Sequence, residues 1–77
     1  MDRKLYLELC QKASVIKNQD KNENLDKCIK VVHKGVLYIP VGYELLFENG
    51  QPRHRAILRD LGSNSINYAN LERVENL

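Results

Sequence analysis

Tyr43-Glu44-Leu45-Leu46-Phe47-Glu48-Asn49-Gly50-Gln51-Pro52-Arg53-His54-Arg55-Ala56 decides how this chain folds. Asn-Gly between two strand-like runs is the strongest short hairpin signal, because a type I′ turn needs positive φ at both central residues. Asn tolerates that backbone and Gly adopts it freely. With Asn49 and Gly50 as the two loop residues, Glu48 faces Gln51, Leu46 faces Arg53, Glu44 faces Arg55 and Tyr43 faces Ala56. The Glu44–Arg55 pair then sets opposite charges across the ladder, a contribution of about 0.2–1 kcal/mol. A three-residue loop would slip the register and oppose Tyr43 to Arg55, which disfavours it. Pro52 has no N–H for a ladder, which places it at an edge or a bulge. Tyr43, Leu45 and Phe47 share one strand face and read as a core stripe.

Upstream of the hairpin, Asp2 is a suitable N-cap for a helix over residues 3–17. Leu5, Tyr6, Leu9, Cys10, Ala13 and Ile16 make one apolar stripe about 140° wide, enough to cover a sheet. Leu7 and Val15 lie off the stripe. Residues 18–26 are polar and rich in Asn, and read as a linker. From residue 27 the apolar period changes from 3.6 to 2. Cys28-Ile29-Lys30-Val31-Val32 and Val36-Leu37-Tyr38-Ile39 read as strands joined tightly through His33-Lys34-Gly35, and Pro40 is expected to stop the second. Leu61-Gly62-Ser63-Asn64 has turn composition. Ser65 to Tyr68 reads as a short strand. The segment from Ala69 to Val74 fits a 3₁₀ turn before a closing strand, or a short helix capped by Asn67; a strand followed by a helical turn is preferred.

These elements define an α+β chain: an N-terminal amphipathic helix, then about five short antiparallel strands over residues 27–77. An SH3-like barrel is the leading architecture, with an open antiparallel sheet under a packed helix as the alternative. Seventy-seven residues make one domain, burying only about 60% of the surface exposed on unfolding. No apolar run approaches the roughly 20 residues of a membrane span, and Glu8 and Lys12 interrupt any signal-peptide core. A cytoplasmic setting is the expectation, with Cys10 and Cys28 as free thiols.

No catalytic constellation is present, and the expectation is a protein that is not an enzyme. Cys10, Cys28, His33 and His54 are too scattered for a structural zinc site. Gly35, Gly42, Gly50 and Gly62 match no phosphate loop, so no metal or cofactor is expected. The formal net charge is only +2, which argues against a dominant polyanion contact.

The sharpest surface feature is basic. Arg53, Arg55 and Arg59 share a face of the returning strand, with His54 beside them; Lys30 and Lys34 are candidates to extend the patch. Guanidiniums so arranged grip carboxylates or phosphates, or simply protect an edge strand from pairing. Two functions compete. One is a protein-interaction module that docks through the helix or the arginine-bearing strand. The other is a small nucleic-acid-binding barrel that uses basic residues beside aromatics. Homodimerisation through a strand edge, or through Leu7 and Val15, is a further option.

The run Tyr38-Ile39-Pro40-Val41-Gly42-Tyr43-Glu44-Leu45, continued through Ile57-Leu58-Arg59-Asp60-Leu61, resembles small uncharacterised proteins of bacteriophages and mobile elements in low-GC bacteria. The resemblance implies an accessory or host-directed protein, such as an inhibitor that binds a host or defence factor. It implies no particular target and no site residues.

Overall fold

A computed structural model describes the backbone of residues 1–19 and 29–77, and the side chains of residues 1–14 and 29–77. Among the described residues one helix, α1 (Arg3–Gln19), precedes five strands: β1 (Val31–His33), β2 (Val36–Glu48), β3 (Gln51–Asp60), β4 (Ile66–Asn70) and β5 (Val74–Asn76). A 3₁₀ turn over Leu71–Arg73 joins the last two. All neighbouring strands are antiparallel in the order β4-β3-β2-β1-β5. Among the described residues the sheet is open, with β4 and β5 as its edges, so the α+β class holds while no ladder closes a barrel.

Asp2 caps α1 as its sequence position requires. Its Oδ2 accepts the Leu5 N–H at 3.2 Å and its carbonyl accepts the Tyr6 N–H at 3.0 Å. The helix continues through Asn18 and Gln19, two residues that the sequence assigns to the linker. The rest of that linker, the Cys28 end of the expected first strand and the side chains of Val15 and Ile16 lie outside the described residues.

Among the described side chains of the helical stripe, Tyr6 and Ala13 are buried, while Leu5 is 36% exposed. The Tyr6 hydroxyl donates to the Ile57 carbonyl at 3.0 Å, and the Cys10 thiol approaches the Gly42 carbonyl at 3.9 Å. Both contacts tie α1 to the place where β2 is irregular. There the ladder skips a residue between Pro40 and Gly42, so β2 runs unbroken from Val36 to Glu48 and does not stop at Pro40. A bulge frees Pro40 from the requirement to donate within a regular ladder. Two expected strands therefore merge into one, and the short β5 brings the number back to five.

The first strand also moves. It covers Val31–His33, and Lys34 and Gly35 form the connection with φ of 52° and 76°. Asn49 and Gly50 have φ of 52° and 78°, as a type I′ turn demands. After β3, Asp60 folds its own turn: its Oδ1 accepts the Gly62 N–H at 2.8 Å and the Ser63 N–H at 3.2 Å. The core gathers Tyr6, Val31, Ala56, Leu58, Ala69, Leu71 and Val74. The 3₁₀ turn contributes Leu71 to it, which is why this segment coils tightly and then returns as a strand.

Candidate functional site

The hairpin register agrees with the sequence at Glu48–Gln51, Leu46–Arg53, Glu44–Arg55 and Tyr43–Ala56. The fate of its side chains does not agree throughout. Leu45 is 43% exposed and Phe47 72%, so only Tyr43 of the expected core stripe packs against the core. The reason lies in the lengths of the elements. α1 reaches β2 at Gly42, and β4 pairs with β3 only from Arg55 to Arg59. Beyond those limits the start of α1 and the 3₁₀ turn come only as far as a cleft beside Pro52, Arg53 and His54, and Leu45 and Phe47 stay exposed. The molecule measures 43 × 22 × 19 Å, and the distal hairpin is an arm that carries Leu45, Phe47 and Pro52 on one face and Leu46 on the other.

The basic residues separate into different environments. β3 is an interior strand, flanked by β2 and β4, so Arg55 and Arg59 do not sit on a free edge. Arg55 is engaged: its Nη2 and Nε donate to Glu44 Oε1 at 2.7 and 3.0 Å, and its guanidinium lies 5.2 Å from the centre of the Tyr68 ring. Both members of the ion pair are over a third or about a third exposed, which limits it to about 0–1 kcal/mol. Arg59 is half-buried between its ladder partners Ile39 and Ile66, and its Nε has no hydrogen-bond partner among the described residues. Arg53 is exposed and forms no ion pair among the described residues. His54 shares a hydrogen bond with the Tyr43 hydroxyl through Nδ1, and the two rings stack with centroids 5.9 Å apart.

Lys30 and Lys34 do not join this group. Lys34 is in the β1–β2 turn, at the opposite end of β2 from Leu46, the partner of Arg53. Ten residues of strand span up to about 33 Å. Lys30 precedes β1, which β2 separates from β3. The single basic patch therefore reduces to Arg53 and His54, with Arg55 alongside but paired.

Arg53 acquires a companion that the sequence does not reveal. The Met1 nitrogen donates to the Leu71 carbonyl at 2.9 Å and brings the start of α1 against the 3₁₀ turn. Arg3 thereby lines a cleft of about 330 Å³ together with Arg53, His54 and Leu71. A contact across seventy residues leaves no local signal. The one legible hint is the good N-cap, which places Arg3 in the first turn.

Of the remaining candidates for site chemistry, Cys28 lies outside the described residues, and His33 and Cys10 sit away from this cleft. His33 Nδ1 lies 3.3 Å from the Arg73 carbonyl. Burial pushes the Cys10 thiol above its ordinary pKa, opposed in part by a hydrogen bond with Tyr6. A thiol held protonated is a poor nucleophile. In a Cys28→Ser protein, Cys10 is expected to react with iodoacetamide several-fold more slowly in the native state than in urea at neutral pH. Equal rates would contradict its burial.

Compared with protein-family models, curated proteins and solved structures, the chain matches none. No described helix is long and apolar enough to cross a membrane.

Proposed function

We propose that this chain is a small, non-enzymatic protein-interaction module, in keeping with an accessory or inhibitor protein of a phage or mobile element that binds a host protein. The projecting β2–β3 arm carries this reading. Leu45, Leu46 and Phe47 stand 43%, 37% and 72% exposed on it. Apolar side chains grouped in this way on a small protein mark a contact surface, and exposed aromatics are favoured anchors of such surfaces. The scaffold is SH3-like in its plan. The strand order and the 3₁₀ turn that leads from one edge strand to the other support that description.

Nucleic-acid binding is the weaker reading, because Glu44 neutralises Arg55, and Lys30 and Lys34 lie away from Arg53. The test is affinity capture from the native source with wild type and a Leu45→Ser/Phe47→Ser variant. Wild type is expected to retain a specific protein that the variant loses while its thermal unfolding stays unchanged. Retention by both proteins, or no specific protein with wild type, would overturn the reading.

A further inference from the structure

We propose that the outer edge of β3 at Pro52–His54 takes up an extended acidic peptide segment of a partner protein, as an added antiparallel strand. The proposal rests on the protein-interaction reading above and names its site and the chemistry of the partner.

The backbone supplies the first argument. β4 pairs with Arg55 to Arg59 and then leaves the sheet in the 3₁₀ turn, so the line it occupies beside β3 ends with Leu71 opposite His54 and is open next to residues 51–53 among the described residues. In a two-residue hairpin the residues flanking the turn form the hydrogen-bonded pair, and the pattern alternates from there. Gln51 and Arg53 thus bond to β2, while Pro52 and His54 face outward. Pro52 has no N–H, and this costs nothing in the β2 ladder because its position faces away from it. Among the described residues, the open groups are the Pro52 carbonyl and the His54 N–H, while the His54 carbonyl faces Leu71, the residue that follows the last β4 pair. A strand added here continues the course of β4 and satisfies them.

Two clefts flank this edge and supply the second argument. Both are lined by Arg53, His54 and Asn70. The first, about 330 Å³, adds Met1, Arg3, Pro52 and Leu71 on one side. The second, about 200 Å³, adds Leu46 and Arg55 on the other. An added strand sends alternate side chains to opposite faces, and each face has a recess to receive them.

Charge decides the class of partner. Arg3 and Arg53 are exposed, and neither forms an ion pair among the described residues. Arg is suited to carboxylates through its paired N–H donors. Glu72, on the rim of the first cleft, accepts from Asn70 Nδ2 at 3.3 Å. Glu48 lines the second cleft next to the turn. The carboxylates of the peptide therefore belong toward the β4 end, over Arg53 and Arg3, and its apolar side chains over Leu46, Leu71 and Met1.

The test titrates the full ¹⁵N-labelled chain with the peptide acetyl-Glu-Leu-Glu-Val-Glu-amide, with its lysine counterpart acetyl-Lys-Leu-Lys-Val-Lys-amide, and with a thymidine decamer. The acidic peptide is expected to shift amides of residues 51–55 and 70–72 and to slow exchange of the His54 N–H. Arg53→Glu should weaken it about tenfold, with unchanged circular dichroism as the control for folding. Methylating alternate peptide nitrogens should abolish it. Equal binding of the lysine peptide, shifts confined to other elements, binding of the decamer alone, or no shift at millimolar peptide would each overturn the proposal. Should the edge fail while Leu45→Ser/Phe47→Ser still abolishes capture, the arm is the contact surface through its faces and the strand-addition site is wrong.

Discussion

Tyr6→Ala is expected to destabilise the protein by about 3–5 kcal/mol, the range for removing a buried aromatic side chain. Tyr6 is fully buried and belongs to the core cluster. Its neighbours on the helix contribute less, since Leu5 and Leu7 are largely exposed and Leu9 and Cys10 are only half-buried. A globular chain of this size has a total stability of about 4–12 kcal/mol. The substitution therefore removes much of it and frees α1 from the sheet. Urea unfolding followed by circular dichroism measures the loss, and a change under about 1 kcal/mol would contradict the docking of α1 through this ring.

Tyr6→Phe separates the hydroxyl from the ring. The hydroxyl donates to Ile57 across the helix–sheet contact, so its removal should cost about 0.5–1.5 kcal/mol. It also changes the alkaline limb of stability. Burial is the main reason the Tyr6 phenol titrates far above its ordinary value, with Cys10 adding to the shift. A raised acid pKa in the folded state means that the neutral form is favoured there. The contribution is complete below the unfolded value near pH 10 and is lost as pH climbs from there toward the folded value. Wild type should lose stability above about pH 10 more steeply than Tyr6→Phe. Parallel alkaline limbs would argue that the ring is not buried.

Leu58→Ala is the second large effect, expected at about 2–5 kcal/mol. Leu58 is fully buried at the centre of β3, with Pro40 and Asn67 as its ladder partners. Three strands meet at this position, and the core around it includes Ala56 and Ala69. Alanines offer no long side chains to fill the cavity, so the loss should fall toward the upper part of that range. The urea midpoint should drop with little change in slope. A midpoint within experimental error of wild type would place Leu58 outside the core.

The sequence was most informative where one local interaction decides the outcome. Asn49-Gly50 sets the turn, and the turn sets four cross-strand pairs of the arm. Asp2 sets the start of α1. It was least informative where the length of one element relative to another decides. Alternation in Tyr43, Leu45 and Phe47 signals a strand face, but nothing local says that β4 and the start of α1 leave Leu45 and Phe47 exposed. Pro40 signals a strand end by itself, and only the opposing β3 shows that the ladder skips a residue and continues. The arginine face of β3 was legible as a face. Its division into a paired Arg55, a half-buried Arg59 and an exposed Arg53 depends on Glu44, Tyr68 and the reach of β4. Arg3 entered the site through the contact of Met1 with Leu71, which joins residues seventy positions apart.

These observations distinguish a supporting part of the molecule from a presenting part. Tyr6, Leu58 and the bulge at Pro40–Gly42 hold α1 on the sheet, and β2–β3 extends past that contact. Substitutions in the first part should act on stability and only through it on binding. Substitutions at Leu45, Phe47 or Arg53 should act on binding alone, since these side chains are exposed.

Hydrogen–deuterium exchange on the partner complex recovered by affinity capture, compared with the free protein, tests this division most directly. Protection concentrated in residues 45–54, with residues 3–14 and 31–39 unchanged, is the predicted result. Protection concentrated on α1 or on β1, with the arm exchanging as in the free chain, would contradict it.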